Sequence, residues 1–279
     1  MAVRALRRNK MRTILTMLGM IIGVSAVIAM VGIGNGAKSQ VEAQIASLGQ
    51  NVILVWSGNF THGGVRGGWG SAGTLTLDDA AAIKREIPGV TIVSPEVRGS
   101  AQVAAGDQDW FTTILGDSAD YFDLRQWPFA EGSTFGDQDV RSANKVAVIG
   151  KTVATQLYGN EDPLGKNIRI KNVPFIVCGV LIPKGLSVMG QDQDDVIVMP
   201  YTSAMKRVLG VTTLRAINVQ TASPALLASV QQQITELLRQ RHHTHSPEDD
   251  DFTVRNQQEI ADTATATATT LTYLLGAIA

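Results

Sequence analysis

A long uncharged run near the N-terminus constrains this chain more than any other feature. Residues 13–37 are 25 consecutive residues without a charged side chain, and a helix needs only about 20 apolar residues to cross the ~30 Å core of a bilayer. A secretion signal has a shorter apolar region, of about 7–15 residues, followed by a cleavage site of small residues. We therefore predict that residues 13–37 form a retained transmembrane helix, and neither a cleaved signal nor a soluble buried helix.

The charges around this run predict its orientation. Lys38 is the only basic residue soon after it, whereas five lie before it: Arg4, Arg7, Arg8, Lys10 and Arg12. The positive-inside rule makes these five residues cytoplasmic topology anchors, with residues 1–12 in the cytoplasm and residues from about 38 to 258 outside the membrane. Beyond residue 12 the chain carries 19 basic and 25 acidic side chains. This mildly acidic body excludes the broad positive surface that nucleic-acid binding needs.

The helical pattern continues past the uncharged run. Apolar residues recur at helical spacing at Ala37, Val41, Ile45 and Leu48, and Gly49 is suited to end a helix. We predict a helical stalk over residues 38–49. A helix from residue 13 to residue 48 would be about 54 Å long at ~1.5 Å per residue, which exceeds the bilayer core.

Small residues in the run allow two interpretations. The stretch GIGNGAKS looks like a phosphate-binding loop, but Ala37 takes the place of the second glycine and no buried strand precedes it, so we predict no nucleotide site.

Gly19 and Gly23 form a GxxxG pair, and Ser25 and Ala29 form a second pair of small residues. Such pairs let helices approach closely. We predict that these four residues are helix-packing candidates, with chance spacing as the alternative.

The C-terminal residues repeat the apolar pattern. Residues 263–279 are uncharged, and apolar side chains become more frequent towards Ala279. This predicts that residues 259–279 are a stalk and the start of a second transmembrane helix, truncated in this sequence. A flexible tail rich in threonine and alanine is the alternative.

Residues 50–258 alternate between the patterns of strands and helices. Period-two apolar runs predict strands at residues 51–58, from 91 onward, 109–116, 144–150, 195–201, 214–223 and 251–256, and a hairpin at residues 166–181. Helical spacing predicts helices after Thr76, over residues 151–159, over residues 201–210 and from Ser223–Pro224 onward. The mixture predicts an α+β domain.

No pattern in this domain indicates a catalytic, cofactor-binding or metal site. The histidines of RHHTHSPEDDD (His242, His243 and His245) and the aspartates at 192, 194 and 195 are predicted to lie in solvated loops. The aspartates lack the twelve-residue spacing of a calcium-binding hand. Cys178, the only cysteine, lies in an apolar run and is predicted to be a small buried hydrophobe.

The order of these segments resembles a known family. The run TMLGMIIGVSAVIAMVGIGNGAK, the stretch KVAVIGKTVATQLYGNEDPLGKNIRIKNVPFIVCGVL, then DDVIVMPY and FTVRNQQEI are similar to the MacB-like permeases of ABC transporters, within the FtsX-like superfamily, and to their periplasmic core domain. The resemblance covers nearly the whole chain and is most specific over residues 146–181. It implies an α+β periplasmic domain of two lobes, flanked by transmembrane helices. The membrane-proximal lobe would comprise residues of about 50–95 and 215–258, and the distal lobe about 96–214.

The resemblance also implies a function and partners. Such permeases are homodimers in the inner membrane, joined to an ABC ATPase that binds ATP and magnesium, and many act with a periplasmic adaptor and an outer-membrane channel. We expect a permease that exports a drug-like, peptide or siderophore-like substrate and carries neither a cofactor nor enzymatic activity in this chain. The alternatives are a mechanotransmission member that controls an envelope hydrolase or lipoprotein release, and an anchored periplasmic binding module.

Overall fold

The computed structural model describes residues 10–11, 13–25, 28, 32, 36, 49, 51–58, 73–187, 191–260, 262–263, 266 and 270. Two compact units are formed, one by Met1–Gln44 with Ile260–Ala279 and the other by Ile45–Glu259. In the first unit, residues 13–25 are helical. The rest of the predicted transmembrane helix, most of the stalk at residues 38–49 and most of residues 259–279 lie outside the described residues. Within the described part of the chain, no helix combines the length and apolarity that a membrane span requires.

The second unit contains ten strands and a set of short and long helices in its described residues. The strands are β1 (Val52–Ser57), β2 (Val90–Ala105), β3 (Gln108–Asp117), β4 (Phe129–Gly132), β5 (Val146–Ile149), β6 (Asn167–Ile170), β7 (Val173–Leu181), β8 (Val196–Pro200), β9 (Ala216–Thr221) and β10 (Phe252–Asn256). The α-helices are α1 (Leu77–Glu86), α2 (Tyr121–Leu124), α3 (Asp137–Ser142), α4 (Lys151–Tyr158), α5 (Tyr201–Ser203) and α6 (Leu227–His242). This mixed helix and strand content confirms the predicted α+β class.

One half of the sheet is formed by β10, β1, β9 and the first part of β2, in that order. The helices α1 and α6 cover one face of it, and their apolar side chains join the strand side chains in one core. Ile53 and Ile217 from the strands and Ile83 and Ile234 from the helices are fully buried, each worth about 1.5–3 kcal/mol of hydrophobic stabilisation. Thr76 caps α1 as predicted, because its hydroxyl accepts from the Asp79 N–H at 3.3 Å.

The other half of the sheet closes on itself. β2 pairs with β9 over Val90–Glu96 and with β3 over Val97–Ala105. From β3 the pairing continues to β8, β5, β7 and β6, and β6 returns to β2. Six strands therefore form a ring, which leaves few unpaired backbone groups at edges. Apolar side chains from all six strands and from α4 share one core, among them Val103, Ile114, Ile149, Val153, Ile168, Phe175 and Ile197.

A second core lies on the other face of β3, β5, β7 and β8. It contains Leu115, Val148, Leu181 and Val198 from the strands, together with aromatic side chains of the segment around α2. Phe122 is in edge contact with Tyr121 and Phe135, at centroid distances of 5.5 and 5.9 Å. The central strands β5 and β8 are thus buried on both faces, which explains their continuous apolar sequences, whereas β6 alternates between buried and exposed residues.

One predicted helix has a different geometry. Residues 201–210 were expected to form an α-helix, but only Tyr201–Ser203 is α-helical and Ala204–Leu209 is a π-helix. Gly210, at φ +67°, ends it by donating to the Met205 carbonyl. The wider turn buries Met205 and Val208, and the Lys171 ammonium donates to the Val208 carbonyl at 2.6 Å. Helical periodicity alone does not distinguish these two winding patterns.

Candidate functional site

The chain enters and leaves the second unit at one place. β1 and β10 are antiparallel neighbours, and Ile53 near the start of β1 pairs with Asn256 at the end of β10. The segment before β1 and the segment after β10 therefore attach at the same end of two strands joined by backbone hydrogen bonds.

The segment after β10 begins as a helix with a side-chain cap. Residues 257–260 are helical, and Asn256 Oδ1 accepts from the Glu259 N–H at 2.9 Å. The Asn256 amide also donates to Gln231 Oε1 at 2.7 Å. Gln231 lies on α6, so the cap residue is fixed to the longest helix of the unit.

Gln231 contacts the new helix a second time. Its amide nitrogen lies 3.1 and 3.2 Å from the two carboxylate oxygens of Glu259 and 3.4 Å from the Val254 carbonyl. We call Gln231, Asn256 and Glu259 the exit joint. Each of the three side chains bonds to another, so the joint ties the first helical turn after β10 to α6.

The residue before β1 is also closely packed. Gly49 has φ +97°, a conformation that favours glycine. A Cβ there would lie 1.9 Å from the Leu124 carbonyl oxygen. Gly49, three residues before β1, therefore lies against the end of α2 at a position where no side chain fits.

The far end of α6 carries a network of ion pairs, which we call the α6 clasp: Asp79, Arg239, Arg241, His242, Asp250 and Asp251. The Arg241 guanidinium donates to Asp79 at 2.6 Å, and the Arg239 guanidinium binds both oxygens of Asp250 at 2.7–3.1 Å. His242 lies between Asp251, at 2.8 Å, and Asp79, at 3.3 Å. The clasp joins α6 to the start of α1 and the start of β10.

The clasp shifts the pKa values of its buried groups. The hydrogen bond to Asp79 raises the pKa of His242, burial opposes this, and the bond to Asp251 adds to the rise. Burial alone would raise the pKa of Asp79, but hydrogen bonds from His242, Arg241 and Thr76 outweigh it and hold that pKa below its usual range. The four charges of Asp79, Asp251, Arg241 and protonated His242 balance one another.

Two loop predictions need correction. His243 and His245 are exposed as expected, but the solvated-loop prediction is wrong for His242, because α6 continues through it and Phe252 packs on its ring. The same prediction is wrong for Asp194, which is buried and accepts from the Lys184 and Gly185 N–H groups at 2.7 and 2.8 Å. His242 bonds to Asp79, 163 positions away, and Asp194 bonds to backbone groups nine and ten positions away, so the polarity of the adjacent residues reveals neither contact.

The helix-packing candidates are only partly described. Gly19, Gly23 and Ser25 lie in the helical stretch 13–25, and a Cβ on either glycine would meet no atom within 4 Å. Lys10 is helical and exposed. Ala29 and the basic residues Arg4, Arg7, Arg8 and Arg12 lie outside the described residues.

Sequence reasoning missed the exit joint. Asn256 and Glu259 stand in the stretch NQQE, which has the N-x-x-E spacing of a helix start, so this part could have been found. Gln231 could not, because it is one of three consecutive glutamines on α6.

In the described residues, no group of three or more His, Cys, Asp or Glu side chains is placed to hold a metal ion. What the arrangement provides is a set of side-chain hydrogen bonds that join the first helical turn after β10 to α6.

Known proteins share both the sequence and the fold. The model of the MacB-like periplasmic core domain matches residues 13–237. The macrolide export ATP-binding/permease protein MacB of Marinobacter nauticus is 42% identical over 278 residues, which are 100% of this chain and 42% of the relative. The protein of the same name from Syntrophobacter fumaroxidans is 37% identical over 100% of this chain and 46% of its own length. The chain thus spans less than half the length of these curated relatives.

Two solved structures share the fold at lower identity. The periplasmic region of MacB from Actinobacillus actinomycetemcomitans has a TM-score of 0.65 and 23% identity, over 78% of this chain and 94% of that one. The extracellular domain of the noncanonic ABC-type transporter YknZ from Gram-positive bacteria has a TM-score of 0.60 and 22% identity, over 74% and 100%. The predicted resemblance is confirmed: this chain belongs to the MacB-like permeases of ABC transporters, the family of the MacB-like periplasmic core domain.

Proposed function

We propose that this chain is the permease part of an ABC-type exporter, in which ATP hydrolysis in the cytoplasm moves the periplasmic domain. The observation that carries this proposal is the pairing of Ile53 with Asn256. Two flanking segments that attach at one point of a sheet can pull on it together. The exit joint then transfers that movement to α6.

The proposed topology follows the charges of the sequence. Residues 13–37 and 259–279 are the membrane segments, Arg4, Arg7, Arg8, Lys10 and Arg12 remain in the cytoplasm, and residues of about 38–258 lie in the periplasm. The exposed apolar side chains on the described helical stretch 13–25 support this assignment. The protein then resides in the inner membrane.

The proposed machine contains further components. Two copies of the permease form a homodimer, and each is served by an ATPase domain or subunit that binds ATP and magnesium. A periplasmic adaptor and an outer-membrane channel complete the route to the outside. The two lobes, at about 50–95 with 215–258 and at about 96–214, move against each other, and the change of β2 partners between Glu96 and Val97 supports a boundary there.

The substrate proposed first is a macrolide, since the similar curated proteins carry that activity in their names. Other drug-like molecules, peptides and siderophore-like compounds belong to the same proposal. The test expresses the complete gene product with its ATPase in a macrolide-sensitive strain that lacks its own macrolide efflux. We expect a several-fold rise in the inhibitory concentration of erythromycin, and none when the ATPase is inactivated.

A variant of the exit joint tests whether the joint couples ATP hydrolysis to export. Gln231→Ala removes the side chain that holds Asn256 and Glu259, and we expect it to lower resistance while ATP hydrolysis continues. Gln232→Ala is the matched control, because Gln232 is exposed and bonds only within α6, to Glu236 at 2.8 Å. An associated ATPase without resistance to any tested substrate would favour mechanotransmission. Purification without an ATPase would favour an anchored binding module.

A further inference from the structure

A group of buried polar side chains lies where β2 changes partners. Glu96 is the last β2 residue paired with β9, and Val97 opposite Gly116 is the first pair with β3. Asp117 follows Gly116 directly. Asp117, Ser94 and Asn218 are fully buried, and Glu96 is 8% exposed. The carboxylates of Glu96 and Asp117 are therefore both buried at the connection between the two halves of the sheet.

The hydrogen bonds of this group leave one carboxylate oxygen unused. Asp117 Oδ1 accepts from the Ser94 hydroxyl and from the Ser118 N–H, the latter at 2.9 Å. Asp117 Oδ2 has no hydrogen-bond partner among the described residues. Asn218 donates to Glu96 at 3.2 Å, and its own Oδ1 is a second buried acceptor without a described partner.

Hydrogen bonds from Ser94 and Ser118 and the charge of Arg125 favour an ionised Asp117, but burial and the charge of Glu96 outweigh them. No lysine, arginine or histidine nitrogen of the described residues forms an ion pair with it. The ionisable groups that act on Asp117 and on its neighbour Tyr121 come from β2 and from the segment around α2, and they are Glu96, Arg98, Arg125 and Tyr121. Burial raises the pKa of Tyr121 to about 12, so it is neutral near pH 7.

Ionisation of both acids would be costly. An isolated buried charge costs several kcal/mol, so such a group takes up a proton instead. Two neighbouring carboxylates in one buried site share a proton for the same reason. Burial and repulsion by Glu96 raise the pKa of Asp117 well above its usual range, in agreement with this geometry.

We propose that Asp117 and Glu96 form a proton-binding site, which holds one proton in the folded domain near neutral pH. The proton resides on Asp117, whose Oδ2 is then a hydroxyl and not a buried charged oxygen without a described partner. Its loss places a second negative charge beside Glu96, and this repulsion together with burial outweighs the stronger bonds that the carboxylate accepts from Ser94 and Ser118. The pH outside the cytoplasmic membrane then sets how firmly the two halves of the sheet are joined. The site concerns the domain itself and does not depend on which substrate is exported.

The proton can be observed directly. The full chain in nanodiscs, labelled with ¹³C in its aspartate carboxyl groups, is measured by infrared spectroscopy at pH 7. We expect the C=O stretching band of a buried, protonated carboxylic acid, which Asp117→Asn removes and Asp107→Asn, in the exposed turn after β2, leaves in place. A wild-type spectrum without this band at pH 7 overturns the proposal. The result is the same whether or not the protein exports macrolides.

The pH dependence of the free energy of unfolding gives a second measurement of the same proton. A raised pKa in the folded state means that folding binds a proton, so this contribution to stability is complete below the unfolded pKa of about 3.9 and is lost as pH rises through the folded value. Asp117→Asn should remove about one proton from the pH dependence of unfolding. Glu96→Gln should move the transition to lower pH, because it removes the repelling charge. If Asp117→Asn does not fold, the proposal is tested by the C=O band of the wild type and by the pH at which that band disappears in Glu96→Gln. A band that titrates at the same pH in wild type and Glu96→Gln contradicts the shared site.

Discussion

The Asn256 side chain donates a hydrogen bond of 2.7 Å to Gln231 Oε1, so the residue that caps the outgoing helix is fixed to α6. At the other end of the same helix, His242 lies between Asp79 and Asp251. About 11 residues at ~1.5 Å each separate Gln231 from His242, so the exit joint and the clasp lie roughly 16 Å apart along α6. The start of β10 and the start of α1 are thus both bonded to the end of α6 that lies opposite the exit joint.

Asn256→Ala tests the cap of the outgoing helix. The change removes the acceptor for the Glu259 N–H and the donor for Gln231, and loss of an Asn cap costs about 1 kcal/mol. We expect faster hydrogen exchange of the Glu259 amide, by roughly fivefold for that free energy. Asn256→Asp keeps the cap acceptor and loses only the donor, so it should retain most of the protection. Equal exchange in wild type and Asn256→Ala would show that the cap does not hold this helix.

The clasp predicts a pH dependence near neutrality. The pKa of His242 is raised in the folded protein by its bonds to Asp79 and Asp251, so its stabilisation is complete below the unfolded pKa of about 6.5 and declines as pH rises through the higher folded value. Thermal unfolding of the full chain between about pH 5 and pH 9 should show this decline. His242→Gln should reduce it, whereas His245→Gln, at an exposed position, should not, and any decline left in His242→Gln is expected from Asp117. A decline of the same size in wild type and His242→Gln would show that His242 does not contribute to it.

Arg239 tests the strength of the second ion pair of the clasp. The guanidinium binds both oxygens of Asp250, whose side chain is 9% exposed. Arg239→Ala leaves Asp250 Oδ1 with the Thr244 hydroxyl at 3.1 Å and Oδ2 without its donor, and an unsatisfied buried polar group costs about 1–3 kcal/mol. Denaturant unfolding should show that loss. Arg239→Lys should recover only part of it, because an ammonium lacks the two-pronged geometry.

The control for Arg239 is another arginine pair. Arg85 and Glu86 form an ion pair of 2.6 Å in which both side chains are largely exposed. Exposed pairs contribute little to stability, so Arg85→Ala should leave the unfolding midpoint unchanged. If the two alanine variants behave alike, the Asp250 pair is no stronger than a surface contact.

Local patterns predicted the elements because their causes are local. The Thr76 cap, the alternation in β7 and the Gly159 end of α4 each depend on a few adjacent residues, and all are present in the structure. The family resemblance depended on the same stretches. These features were enough for the α+β class and for the family.

Long-range pairing could not be predicted in the same way. The ring closes where Val103 pairs with Ile170, 67 positions later, and no signal near either residue indicates that contact. Asp117 ends an apolar run and would be expected at a surface, yet it is fully buried. His242 and Asp194 differ from expectation for the same reason. Burial of a polar side chain depends on which distant segments cover it, and one sequence does not contain that information in readable form.

The glycine pair tests the proposed homodimer. Gly19 and Gly23 lie four residues apart on one face of the described helical stretch, and among the described residues nothing beyond the helix's own backbone lies within 4 Å of a Cβ placed there. If the two copies of the permease pack along this face, branched side chains would separate them. Replacing both glycines by isoleucine should therefore lower the yield of crosslinked dimer in detergent severalfold. Met17→Ile is the control, because residue 17 lies on the opposite face and the change keeps the side chain large and apolar. Undiminished crosslinking in the double variant would place the dimer contact elsewhere, with the spacing of the glycines then a matter of chance.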